Sequence, residues 1–126
     1  MKIAIIDDSD ADRYLARRVV KATFGDADIL EYESALDAVD PIRRGSDEHE
    51  PFVVFLDINM PRMNGFEFLD VVDEDIDSPP VVVLMLTSSS AKSDRDTASK
   101  YGCVKGFIEK PLTREHLDEL AAALSP

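Results

Sequence analysis

The chain has one cysteine, Cys103, so no intramolecular disulfide can brace it. A lone thiol suits a reducing compartment. Cys103 lies between Gly102 and Val104 at the start of an apolar run, where it reads as a small buried hydrophobe rather than a redox centre. Cations are also scarce: 14 Lys and Arg stand against 26 Asp and Glu, a net charge of −12. The short pairs Arg17-Arg18 and Arg43-Arg44 form no basic patch, which argues against direct binding to nucleic acid. No apolar run approaches the length of a membrane span, and Asp7-Asp8 interrupt the N-terminus too early for the apolar core of a signal peptide. The expectation is a cytoplasmic chain with no membrane insertion. Repeats, low-complexity tracts and linkers are missing as well, so residues 1–126 fit one domain large enough to bury its own core.

What the sequence does have is a series of short apolar runs, each ending at a polar residue. IAII stops at Asp7 and Asp8, VVFL at Asp57, VVVLML at Thr87 and GFIE at Lys110. Each run is too short for a helix and rich in β-formers, as in buried strands of a parallel sheet. Strands are predicted at Ile3 to Ile6, Ala27 to Tyr32, Phe52 to Leu56, Val81 to Met85 and Val104 to Ile108, with Ala27 to Tyr32 nearer an edge.

Helical spacing fills the intervals. Ser9 to Thr23 places Leu15, Val19, Val20 and Ala22 inward, ending near Gly25, and Ser34 caps a helix carrying Leu36, Val39 and Ile42. Pro41 should kink or weaken that helix, with Gly45 beyond its end. Pro61 and Asn64-Gly65 make a loop before a helix from Phe66 to Asp73. A weakly amphipathic helix is predicted from Ala91 to Tyr101, and Leu117, Leu120, Ala121 and Leu124 give the last helix its apolar face. Five strands alternating with five helices predict an α/β, doubly wound parallel sheet covered on both faces.

Ligands of such sheets bind in the crevice beyond the strand carboxyl ends. Asp7, Asp8, Asp57, Thr87 and Lys110 would meet there. Asp7 and Asp8 could merely favour the start of the following helix. With Asp57 added, three close carboxylates would repel one another without a cation, and an all-oxygen set suits Mg2+, or Mn2+ in its place. A carboxylate beside such a cation can act as a nucleophile toward a phosphoryl group, giving an aspartyl phosphate. Lys110 and the Thr87 hydroxyl could then meet the charged outer oxygens. Taken singly, Lys110 reads as a surface lysine and Thr87 as a strand-end residue. A cis Lys110-Pro111 bond would be one way to aim the ammonium inward.

The segments IIDDSD, VVFLDINMPRMNGFEFL, VVVLMLTSSS and VKGFIEKPL, in this order, resemble the receiver domain of two-component response regulators across essentially the whole chain. The resemblance implies a flavodoxin-like strand order 2-1-3-4-5. It implies Asp57 as phosphoacceptor from a histidine kinase or histidine phosphotransfer protein, with self-catalysed phosphotransfer and autodephosphorylation. Asp8 would ligate Mg2+ directly and Asp7 mainly through water, with Asp57 and the Asn59 carbonyl completing the set. Thr87 and Lys110 would contact the phosphoryl oxygens, and Asn59 and Ser89 would flank the attacking water.

Phe107 takes a switch position often held by Tyr; it either packs inward as Thr87 moves or belongs permanently to the core. The signalling face toward a downstream target would be helix 4, strand 5 and helix 5, including Ala91, Lys92, Arg95, Ala98, Lys105, Phe107, Arg114 and His116. The simplest expectation is a single-domain regulator acting through protein contacts, with a receiver cut from a longer regulator as the main alternative and a transient homodimer as a further possibility. His49 and His116 read as ordinary loop and helix residues.

Two other classes compete. Asp8-Ser9-Asp10 resembles the nucleophile motif of haloacid-dehalogenase-type phosphatases, but leaves the Asp57 segment unexplained. A phosphorylation-independent interaction module would leave the whole constellation without a role. A flavin site lacks a phosphate-binding loop after the first strand.

Overall fold

A computed structural model describes residues 1–45, 52–72, 81–88 and 92–124. Its strands are β1 (Lys2–Ile6), β2 (Asp28–Tyr32), β3 (Phe52–Asp57), β4 (Val81–Thr87) and β5 (Val104–Glu109). Its helices are α1 (Asp10–Thr23), α2 (Ala35–Gly45), α3 (Gly65–Val72), α4 (Lys92–Ala98) and α5 (Arg114–Leu124). The strands are all parallel in the order β2-β1-β3-β4-β5, so the expected architecture and strand order both hold.

Side chains alternate across the sheet and split the core in two. Ile3, Ile5, Val53, Phe55, Leu84, Leu86 and Ile108 pack with Ala16 and Val20 of α1 and Leu117 and Leu120 of α5. Ala4, Ile6, Val54, Leu56, Val83 and Met85 pack with α2, α3 and Ala98 of α4 on the other face. Every residue of β3 is buried, as a central strand covered on both sides requires, whereas β2 at the edge is only partly covered. Cys103 is buried within the second of these cores.

The helices begin where the sequence supplies caps. Ser9 Oγ accepts from the Asp12 N–H at 3.2 Å, and Ser34 Oγ accepts from the Leu36 N–H at 3.2 Å. Asn64 and Glu67 accept each other's backbone N–H at the start of α3. Thr113 and His116 do the same at α5, with His116 Nδ1 accepting from the Thr113 N–H at 3.0 Å.

Several expectations need correction. Leu15 and Leu36 are 50% and 46% exposed, and Ala22 is exposed too. The inward positions fall on Ala16 and Val20 in α1, and on Ala35, Ala38 and Ile42 in α2, because small side chains let these helices lie close to the sheet. Helix α2 includes Gly45, which was expected just beyond its end, and Pro41 lies inside it without an N–H to offer the Asp37 carbonyl. Helix α4 is shorter than expected: after Ala98 the chain tightens into turns with Lys100 N–H bonded to Thr97 and Tyr101 N–H to Ala98. His49, Asp73, Ser89 and Ala91 lie outside the described residues.

Candidate functional site

Register brings the polar strand ends together. Ile6 is level with Leu56, so Asp7 and Asp57 leave neighbouring strands at the same height. Asp57 pairs with Leu86, and Thr87 pairs with Glu109, directly before Lys110. The ladder runs one step further through the Lys110 N–H to the Thr87 carbonyl at 2.7 Å. The Lys110-Pro111 bond is cis.

Oxygen atoms of Asp7, Asp8 and Asp57 all lie within 4.8 Å of one another. Asp7 and Asp57 are 1% and 5% exposed, whereas Asp8 faces solvent. Asp7 is held by the Ser9 N–H at 2.9 Å, and its backbone carbonyl accepts from the Arg13 guanidinium at 2.6 Å. Arg13 also pairs with Asp10 and Glu31, so α1 is fastened to the ends of β1 and β2.

Lys110 reaches across the cluster. Its Nζ lies 2.7 Å from Asp7 Oδ2, 2.9 Å from Asp12 Oδ2 and 3.4 Å from Asp57 Oδ1. Burial pulls the ammonium's pKa down, but the hydrogen bonds it donates to Asp7 and Asp12 and the charge of Asp57 outweigh it, and the net shift is upward. Lys110 is therefore a fixed cation. Asp57 also shifts upward, which for a carboxylate favours the neutral form: burial, then the neighbouring charge of Asp7, push it up to about 6 despite Lys110. One lysine does not neutralise three carboxylates. Hard oxygens in mutual reach, with residual repulsion at a buried member, fit a divalent cation.

Thr87 is fully buried at the end of β4, and Ser88 beside it is exposed. Asn59, two residues after Asp57, has an exposed side chain. The intervening loop closes tightly because Gly65 starts α3 against β3. Its N–H donates to the Ile58 carbonyl at 2.8 Å, and a Cβ there would meet the Asp57 carbonyl oxygen at 2.7 Å. Arg62 takes a positive φ of 68° in that loop. On the other side a cleft of about 260 Å³ opens beside Lys110, lined by Asp12, Ala16, Leu86, Ser88 and Leu112 among others.

Phe107 is partly buried against the core, and the Arg95 guanidinium lies 5.2 Å from its ring centre. It is neither free in solvent nor sealed inside. Ala98, expected on the outer face of helix 4, is buried, while Lys92, Arg95, Lys105 and Arg114 are exposed and His116 is half-buried. Sequence reasoning missed Asp12, Arg13 and Gly65. The available signals are the place of Asp12 in the first turn of a helix capped by Ser9, just after Asp7 and Asp8, and an Asn-Gly pair that marks a tight turn.

A family profile described as "Response regulator receiver domain" matches residues 3–122. The chain is 33% identical over 122 residues to the chemotaxis protein CheY1 of Helicobacter pylori, covering 94% of this chain and 92% of that protein. It is 34% identical over 122 residues to a chemotaxis protein CheY homolog of Campylobacter jejuni, covering 94% and 88%. Among solved structures, a two component response regulator from Cytophaga hutchinsonii superposes with a TM-score of 0.85 at 25% identity, over 97% of this chain and 94% of that one.

Proposed function

The chain belongs to the response regulator receiver domain family, and on that footing we propose that it is a phosphorylation-dependent switch with Asp57 as its phosphoacceptor. The observation that carries this reading is the buried Asp57 carboxylate at the end of β3, within reach of Asp7, Asp8 and the fixed cation of Lys110. Asp57 alone of the three carboxylates comes from the middle of the sheet, with β1 on one side and β4 on the other.

The donor is a phosphohistidine of a histidine kinase or histidine phosphotransfer protein. An Asp57 carboxylate oxygen forms the new bond to phosphorus as the phosphorus–nitrogen bond to the donor breaks. Lys110 and the Thr87 hydroxyl neutralise and orient the phosphoryl oxygens as charge accumulates on them. Asp7, Asp8 and Asp57, with the Asn59 carbonyl, would hold Mg2+, which when bound supplies positive charge beside the transferring group. The exposed Ser88 leaves the approach to the crevice open to a donor and, later, to hydrolytic water.

The output follows from the same strand ends. A Thr87 drawn toward the phosphoryl group changes the space beneath Phe107, and Arg95 over that ring belongs to the surface of α4, β5 and α5 offered to a target protein. The setting proposed for this exchange is the cytoplasm.

The test is intact mass after incubation with acetyl phosphate and Mg2+. The expected result is a single added phosphoryl group that requires Mg2+ and disappears in Asp57→Asn. Stoichiometric label persisting in that variant would overturn the assignment, and label mapped to Asp8 would instead mark a haloacid-dehalogenase-type reaction. Lys110→Ala is expected to take up label and still fail to engage a target.

A further inference from the structure

We propose that Asp12 is a positioning residue that holds Lys110 back from the phosphoryl group and so tunes the affinity of the crevice for it. The inference rests on Asp57 being the phosphoacceptor. An ammonium offers three hydrogens, and among the described residues the carboxylates around Lys110 Nζ are Asp7, Asp12 and Asp57. Asp7 and Asp57 belong to the carboxylate cluster suited to a cation, and Asp12 does not. Its contact at 2.9 Å is shorter than the 3.4 Å contact to Asp57, so the resting lysine favours α1 over the phosphoacceptor.

Asp12 is not a wandering surface carboxylate. It sits in the first turn of α1 with its N–H tied to the Ser9 hydroxyl at 3.2 Å, and the adjacent Arg13 is anchored on the Asp7 carbonyl. The helix start therefore sets where Asp12 pulls. A phosphoryl group on Asp57 brings further negative charge to the crevice, and Asp12 adds repulsion while competing for the same cation. A cation held by Asp7, Asp8 and Asp57 would sharpen that competition, because those carboxylates would have less charge left for Lys110 while Asp12 lies outside the set. The Asp12 side chain is 40% exposed, so the effect is modest.

The experiment measures binding of fluoroberyllate, a phosphoryl analogue, at saturating Mg2+. Asp12→Asn and Asp12→Ala are both expected to bind it about threefold more tightly, a size set by a partly exposed ion pair. Asp12→Glu, which keeps the charge, is expected to stay near the wild-type value. In a Lys110→Ala background the Asp12→Asn gain is expected to shrink to little, since the competition it relieves is gone. Unchanged or weaker binding in both neutral variants, or an undiminished gain without Lys110, would overturn the role of Asp12 alone. A wild-type chain that binds no analogue and takes no label on Asp57 would overturn the phosphoacceptor reading, and this inference with it.

Discussion

Asp57 is destabilising where it sits. Its carboxyl is pushed from 3.8 up to about 6, chiefly by burial and then by Asp7. Between those two values the folded chain retains a proton that the unfolded chain has released, so stability falls as pH rises through that window and the penalty is complete above it. Without divalent cations, Asp57→Asn is therefore expected to be more stable than the wild type at pH 7.5 by about 1 to 3 kcal/mol. The difference should close toward pH 4, as denaturant melts at the two values would show; a variant less stable at pH 7.5 would contradict it. At this scale the sequence was partly legible. Asp7, Asp8, Asp57, Thr87 and Lys110 declare themselves because each follows an apolar run. Asp12 does not, since a carboxylate in the first helical turn looks like any favourable helix-dipole charge until the strand ends are placed over it.

The strands could be read almost to the residue because buried parallel strands are uninterrupted apolar runs. The helices were harder at their faces than at their ends. Their ends carry chemical signals, as in Ser9 and the reciprocal pair Asn64 and Glu67. Their faces were assigned by the largest apolar residues, yet Leu15 and Leu36 point outward while alanines meet the sheet. Close packing also gives the two strand-contacting glycines different weights. Gly65→Ala would drive a Cβ to 2.7 Å from the Asp57 carbonyl oxygen and 3.1 Å from Ile58 Cα, neither of which can move without β3. The expected cost is about 2 to 3 kcal/mol, with weaker phosphoryl uptake. Gly106→Ala meets only the tip of Leu84 at 2.7 Å, and its cost should be no more than about 1 kcal/mol. Urea melts of the two variants check the order, and equal losses would contradict it.

Across the whole molecule, a net charge of −12 opposes compaction, and three carboxylates of that excess converge on one point. Monovalent salt should raise the melting temperature gradually by screening the general repulsion. Mg2+ should raise it further at equal ionic strength, through a stabilisation of about 2.7 kcal/mol when present at a hundredfold excess over its dissociation constant. Asp8→Ala should lose most of the specific increment and keep the general one, and calorimetry with chelator controls separates the two. An undiminished Mg2+ increment in that variant would remove Asp8 from the ligand set.

Lys110 and Asp12 are 98 residues apart in the chain, and Asp57 reaches them from the central strand. No stretch of sequence short of β5 contains the parts of the crevice, so chemistry there reports on completed folding. A copy still being synthesised, or one whose last strand has come away, has an acidic cluster without the ammonium that spans it. Under the proposed switch such copies would engage no target, as expected of Lys110→Ala, and only finished ones would pass a signal on.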